Sequence, residues 1–167
     1  MLKKITNLLA STILGLGKNS TEQPLQRSAN IQGDYFVWNK GDAFILSPYF
    51  NTKEFSCQCN FPTCVKQRVS RVLIDKLDLV RKEADQSLII TSGFRCRKHQ
   101  EFLRSSGVNT VIAKVSTHEK GDAADVQPKD KNIKTFTLIA EKHFDSIGLA
   151  KTFLHLDTRT GKRRWNY

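Results

Sequence analysis

Two histidines and two aspartates in the C-terminal half of the chain have the types and spacing of a metal site. In Ser116-Thr-His118-Glu-Lys-Gly121-Asp-Ala-Ala-Asp125-Val, His118 and Asp125 are seven residues apart with Gly121 between them. A loop of that length with a glycine turn can fold back so that both side chains meet at one point. Imidazole and carboxylate are both good zinc ligands, and Ala123-Ala124 permits close packing beside them. His155 offers a third donor in Phe153-Leu-His-Leu-Asp157. On a strand, residues 153, 155 and 157 share one face, so Leu154 and Leu156 can anchor in the core while His155 and Asp157 face a site. Two histidines, one aspartate and a water make an open, catalytic kind of zinc site. Zinc in such a site lowers the pKa of a water to roughly 7 and polarises a carbonyl oxygen. The other two histidines, His99 and His143, sit on helical stretches and read as ordinary surface or hydrogen-bonded residues.

The elements that must position these groups can be read from periodicity. Apolar residues Val65, Val69, Val72, Leu73, Leu77 and Val80 recur at spacings of three and four, which predicts an amphipathic helix over 65–84. Leu88-Ile89-Ile90 reads as a buried strand. Lys98–Ser106 reads as a second helix with Gly107 as its stop. Ala123–Gln127 is a strand and Ile133–Phe144 a helix; Ser146–Ala150 and Phe153–Thr158 are two closing strands. The sum is a small α+β domain with helices packed on a mostly antiparallel sheet.

Ahead of this domain, residues 18–34 are polar and read as a linker. Residues 35–55 read as extended chain and turns that open a domain spanning 35–167. Met1–Lys4 carries two lysines, and Ile5–Gly17 is mostly apolar. They suit a signal peptide or a membrane-surface segment, against a plain amphipathic helix or frayed tail; they are too short for a comfortable membrane span.

The 167-residue length suits one domain, and 39% hydrophobic residues suffice for a core. A net charge of +11 speaks of partners rather than fold. Nucleic acid, anionic lipid and an acidic cell wall would all attract it, but no nucleic-acid-binding motif is present, so no specific nucleic-acid partner is expected. Four cysteines, Cys57, Cys59, Cys64 and Cys96, include three within eight residues. Buried thiols, disulfides (57–64 with 59–96, or 57–96 with 59–64) and a second, structural metal site all remain open.

Ser-x-His-x2-Gly-x-Ala-x-Asp, followed about thirty residues later by a strand with His, resembles the zinc D-Ala-D-Ala carboxypeptidases. That group includes phage endolysins and shares its fold with the Sonic hedgehog signalling domain. Ile90-Thr-Ser92-Gly93-Phe94-Arg95, the opening Phe50-Asn-Thr-Lys-Glu54-Phe55 and the close His155-Leu-Asp157-Thr-Arg159 extend the resemblance over roughly residues 45–167. It implies Zn2+ held by His118, Asp125 and His155, with Arg95 and Ser116 contacting substrate. It implies a zinc peptidase cutting peptidoglycan stem peptides or cross-links, in the periplasm or cell wall or associated with a virion. The family's general base, a carboxylate three residues before the last ligand, is replaced by Thr152. Asp157 is the substitute expected as the catalytic base, since two strand positions span roughly 6.6 Å; Asp157 orienting His155 or pairing with Arg159 are the alternatives. A non-catalytic zinc-bearing wall-binding or virion module is the competing function. Neither the bond cut nor the oligomeric state follows from these residues.

Overall fold

The computed structural model describes residues 29–106 and 116–167. The predicted signal or membrane-surface segment and Gly107 lie outside the described residues. Among the described residues no helix is long and apolar enough to cross a membrane.

Three strands, β1 (Asn30–Gln32), β2 (Tyr35–Asn39) and β3 (Lys66–Ser70), form an antiparallel meander. Its first strand falls within the stretch expected to be linker: Asn30–Gln32 pairs with Tyr35–Val37 across a turn at Gly33. The short helix α1 (Thr52–Phe55) is closed by a capping box. There the Asn51 side chain accepts from the Lys53 N–H and Glu54 accepts from the Asn51 N–H, satisfying donors a helix start leaves open.

Strand β3 runs directly into α2 (Arg71–Ala84), so the helix expected over 65–84 is shorter than its periodicity implied. Gln67 and Val69 point inward and Lys66 and Arg68 outward, a two-residue alternation that an overlapping three-and-four pattern concealed. Val65 and Val72, counted toward the helical stripe, are 49% and 46% exposed. The buried face of α2 is Leu73, Ile74, Leu77 and Val80.

The second sheet carries the site. Its strands are β4 (Leu88–Ser92), β5 (Ala123–Pro128), β6 (Ser146–Leu149), β7 (Leu154–Asp157) and β8 (Arg163–Asn166), in the order β4-β5-β7-β6-β8. All neighbours are antiparallel except β6 and β8. Strand β8 was not anticipated: Arg163-Arg-Trp-Asn is mostly exposed and has no apolar alternation. Helices α3 (Arg97–Ser105), α4 (Thr117–Lys120) and α5 (Ile133–Ala140) complete the α+β fold. The chain leaves α5 in hydrogen-bonded turns, four residues before the Phe144 at which the expected helix ended. Phe55, Leu73, Leu77, Ala124, Val126, Phe136, Phe144, Leu154 and Leu156 belong to one buried cluster.

Candidate metal centre

Register brings the site together. Asp125 on β5 is the cross-strand partner of His155 on β7, and Ala123 is the partner of Asp157. Leu154 and Leu156 are fully buried on the opposite face. His118 arrives from α4, which ends at Gly121 with φ +81°, a left-handed conformation that suits glycine. A Cβ there would also lie 2.7 Å from the Arg68 carbonyl oxygen. That turn sends the chain back into β5 and so sets His118 over Asp125.

The three side chains meet in a triangle. Nε2 of His118 is 3.2 Å from Oδ1 of Asp125 and 3.1 Å from Nδ1 of His155. Nδ1 of His155 is 3.0 Å from the same Asp125 oxygen. All three residues are buried. Zinc ligands at about 2.0–2.1 Å in a tetrahedron stand about 3.3 Å apart, so the triangle has the size a zinc ion requires.

The outer contacts decide which atoms face the centre. Nδ1 of His118 lies 2.7 Å from the Gly93 carbonyl oxygen; a carbonyl only accepts, so this nitrogen carries the proton and Nε2 presents a lone pair. Nε2 of His155 lies 3.2 Å from Oδ2 of Asp157, a carboxylate that only accepts, so Nε2 carries a proton and Nδ1 is the ring atom that faces inward. Two imidazole nitrogens and a carboxylate oxygen thus converge on one point, a donor set that suits a cation. Without one, the electrostatics respond as expected. Burial pushes His118 below its ordinary pKa. Burial also opposes charge on His155, but its bonds to Asp125 and Asp157 outweigh that and raise it. Burial would raise Asp125, yet His118 and His155 hold it far below the carboxylate range.

Asp157 stands behind His155, on the side away from the triangle. It is fully buried. Ser146 Oγ donates to Oδ2 at 2.9 Å, and the Arg159 guanidinium and backbone N–H donate to both oxygens at 2.7–3.2 Å. Arg95 donates to the outer oxygen of Asp125 at 2.5 Å and to Ser92 Oγ at 2.8 Å. Ser116 is buried and precedes α4 without a side-chain capping bond. Thr152 is exposed. Glu119 pairs with Arg97 at 3.6 Å, and Asp122 accepts from Tyr35 Oη at 2.9 Å. Among the described residues, the carboxylate touching the ligands besides Asp125 is Asp157.

Some contributors escaped sequence reasoning. Gly93 supplies only a backbone oxygen. It must be glycine, because a Cβ would fall 2.5 Å from Phe55 Cα. The His155 ring has Trp165 at 5.4 Å and Tyr167 at 6.3 Å, brought there by the unanticipated β8. The four cysteines are unbonded thiols gathered in a second cluster, with His99 beside Cys57.

A family model described as peptidase M15 matches residues 48–157, well over half of the chain. No curated protein and no solved structure matches it.

Proposed function

The chain belongs to the peptidase M15 family, and from that premise we propose that it is a zinc-dependent peptidase hydrolysing amide bonds in peptidoglycan stem peptides or cross-links. The observation that carries the metal-dependent part is the set of three ligand atoms, His118 Nε2, His155 Nδ1 and Asp125 Oδ1, converging at 3.0–3.2 Å in a buried site.

When bound, zinc supplies Lewis acidity: it polarises a carbonyl and makes a water more acidic. The chain's own groups prepare the rest. The Gly93 carbonyl and Asp157 fix the orientation of the two imidazoles and raise their basicity as ligands. Arg95 holds the outer oxygen of Asp125. Five N–H donors fork from a guanidinium; Nη1 of Arg95 is not used in those two bonds and is assigned to a substrate carbonyl or carboxylate. Tyr167, partly exposed beside His155, offers a flat apolar wall for the substrate. Ser116 is assigned to the rim of the same site. Asp157 is assigned to orientation rather than proton transfer, because donors from His155, Ser146 and Arg159 already occupy its oxygens.

Support for a cell-wall substrate is the resemblance at Ser116–Asp125 and His155–Arg159, together with a net charge of +11 that favours a polyanionic matrix. Periplasm, cell wall or virion is the corresponding location. One observation favours a second reading, a metal-bearing wall-binding module: Thr152 lacks a carboxylate and Asp157 is committed elsewhere.

The deciding experiment is incubation of purified peptidoglycan with the zinc-loaded full chain and with a His118→Ala variant, products identified by mass. New amino or carboxyl termini in the first sample alone establish the peptidase and identify the bond. Absence of cleavage across several wall chemistries, with zinc at full occupancy, replaces it with the binding module.

A further inference from the structure

We propose that Cys57, Cys59, Cys64 and Cys96 hold a second zinc ion with a structural role, distinct from the ion at His118, Asp125 and His155. The four sulfurs all lie within 4.8 Å of one another. Cys57 Sγ is 3.5 Å from Cys59 Sγ, and Cys59 Sγ is 3.6 Å from Cys96 Sγ. Four thiolates about 2.3 Å from a tetrahedral zinc stand about 3.8 Å apart. The cluster therefore has the size of a closed four-sulfur zinc site, and none of the four is paired in a disulfide.

The surroundings of the sulfurs separate this from casual packing of buried thiols. Each sulfur has an N–H group beside it. The Cys96 N–H donates to Cys57 Sγ at 3.4 Å, the His99 N–H to Cys96 Sγ at 3.4 Å, Gln67 Nε2 to Cys64 Sγ at 3.4 Å and Lys40 Nζ to Cys59 Sγ at 3.9 Å. The His99 ring adds Nδ1 at 3.2 Å from Cys57 Sγ. Donors to every sulfur suit thiolates, which carry negative charge, far better than neutral thiols. Lys40 offsets part of the excess charge that four thiolates bring to one divalent ion. Phe61 and Phe94 cover the cluster.

Position gives the ion a task. Residues 56–65 form no helix or strand of their own, and three ligands lie in that strap. The fourth, Cys96, caps α3 and directly follows Arg95. An ion here ties the strap to Gly93–Cys96, the segment whose Gly93 oxygen orients His118 and whose Arg95 grips Asp125. The four-sulfur ion thereby braces the other centre without touching it.

The test is metal content of the full chain, prepared in zinc-supplemented medium, by elemental analysis and native mass spectrometry. Two zinc ions per chain are expected, falling to one in His118→Ala and to one in the double variant Cys59→Ser, Cys96→Ser. The unaltered chain refilled with Co2+ is expected to show intense thiolate-to-cobalt charge-transfer absorption, and His118→Ala to keep it. That spectrum decides the matter even where the cysteine variant does not fold. A thiolate spectrum in a chain that leaves peptidoglycan intact upholds the four-sulfur site and removes only the peptidase reading. A cobalt spectrum without thiolate bands, two disulfides revealed by alkylation under denaturing conditions, or iron in place of zinc would overturn the proposal.

Discussion

Oδ2 of Asp157 lies 3.2 Å from Nε2 of His155, while Nδ1 of the same ring faces His118 and Asp125. One imidazole thus separates the carboxylate from the point where the ligands meet. Asp157 reaches that point only through His155, and the roughly 6.6 Å of strand rise between alternate residues is spent on orienting the ring.

An Asp157→Asn substitution is accordingly expected to act on metal binding first. Zinc affinity should fall by about 10- to 100-fold, the usual effect of losing such a supporting carboxylate. Competition against a chromophoric chelator measures it. The zinc-saturated variant should retain hydrolysis; complete inactivity at full zinc occupancy would return Asp157 to the role of base.

Gly93→Ala tests the close approach between β4 and α1. The added Cβ would meet Phe55 backbone atoms at 2.5–2.9 Å, and backbone cannot step aside as a side chain can. Destabilisation of about 1–3 kcal/mol or more is expected, read as a lowered urea midpoint, with weaker zinc binding because the Gly93 oxygen orients His118.

Zinc occupancy should depend on pH with a definite sign. Burial opposes charge on His155, but Asp125 and Asp157 raise its pKa above the ordinary value when no cation is present, so it gains a proton before an exposed histidine would. A proton on Nδ1 displaces the metal. Affinity should therefore be full at high pH and decline as pH falls from above about 6.5. Calorimetric titrations across that range that show a flat affinity would contradict the assignment of Nδ1 as a ligand atom.

Chelation should destabilise the fold as well as silence it. A ligand present at about a hundred times its dissociation constant stabilises by about 2.7 kcal/mol. Removing zinc from the histidine site should lower the melting temperature of wild type, and leave unchanged that of His118→Ala treated with a chelator too weak to strip thiolates.

Much of the site was legible in one dimension because its constraints are local. The His118–Asp125 spacing with Gly121 between them describes a single turn, and strand alternation assigns Leu154 and Leu156 to the core and His155 to the other face. The strand at Leu88–Ile90 and the helix through Leu73–Val80 follow from periodicity in the same way. At Val65–Ser70 that logic failed, since Val65, Val69 and Val72 happen to fit a helical period although only Val69 is buried there. Strand β8 had no apolar signature to read, because it joins a sheet edge by backbone pairing to β6.

By itself, then, the amino-acid sequence determined which residues are chemically fit to hold a metal and which short segments present them, since residue type and spacing are properties of the chain. Only the tertiary structure decided which atom of each residue faces the centre. The proton on His118 depends on the Gly93 carbonyl and that on His155 on Asp157, and His99 joins the cysteines from a separate helix. His155 and Asp157 share β7 and lie two residues apart, within what strand spacing can express. The Gly93–His118 and His99–Cys57 contacts, by contrast, join groups on different segments. The meeting of His155 with Asp125 is set by the register of β5 against β7, and residue spacing carries no record of those.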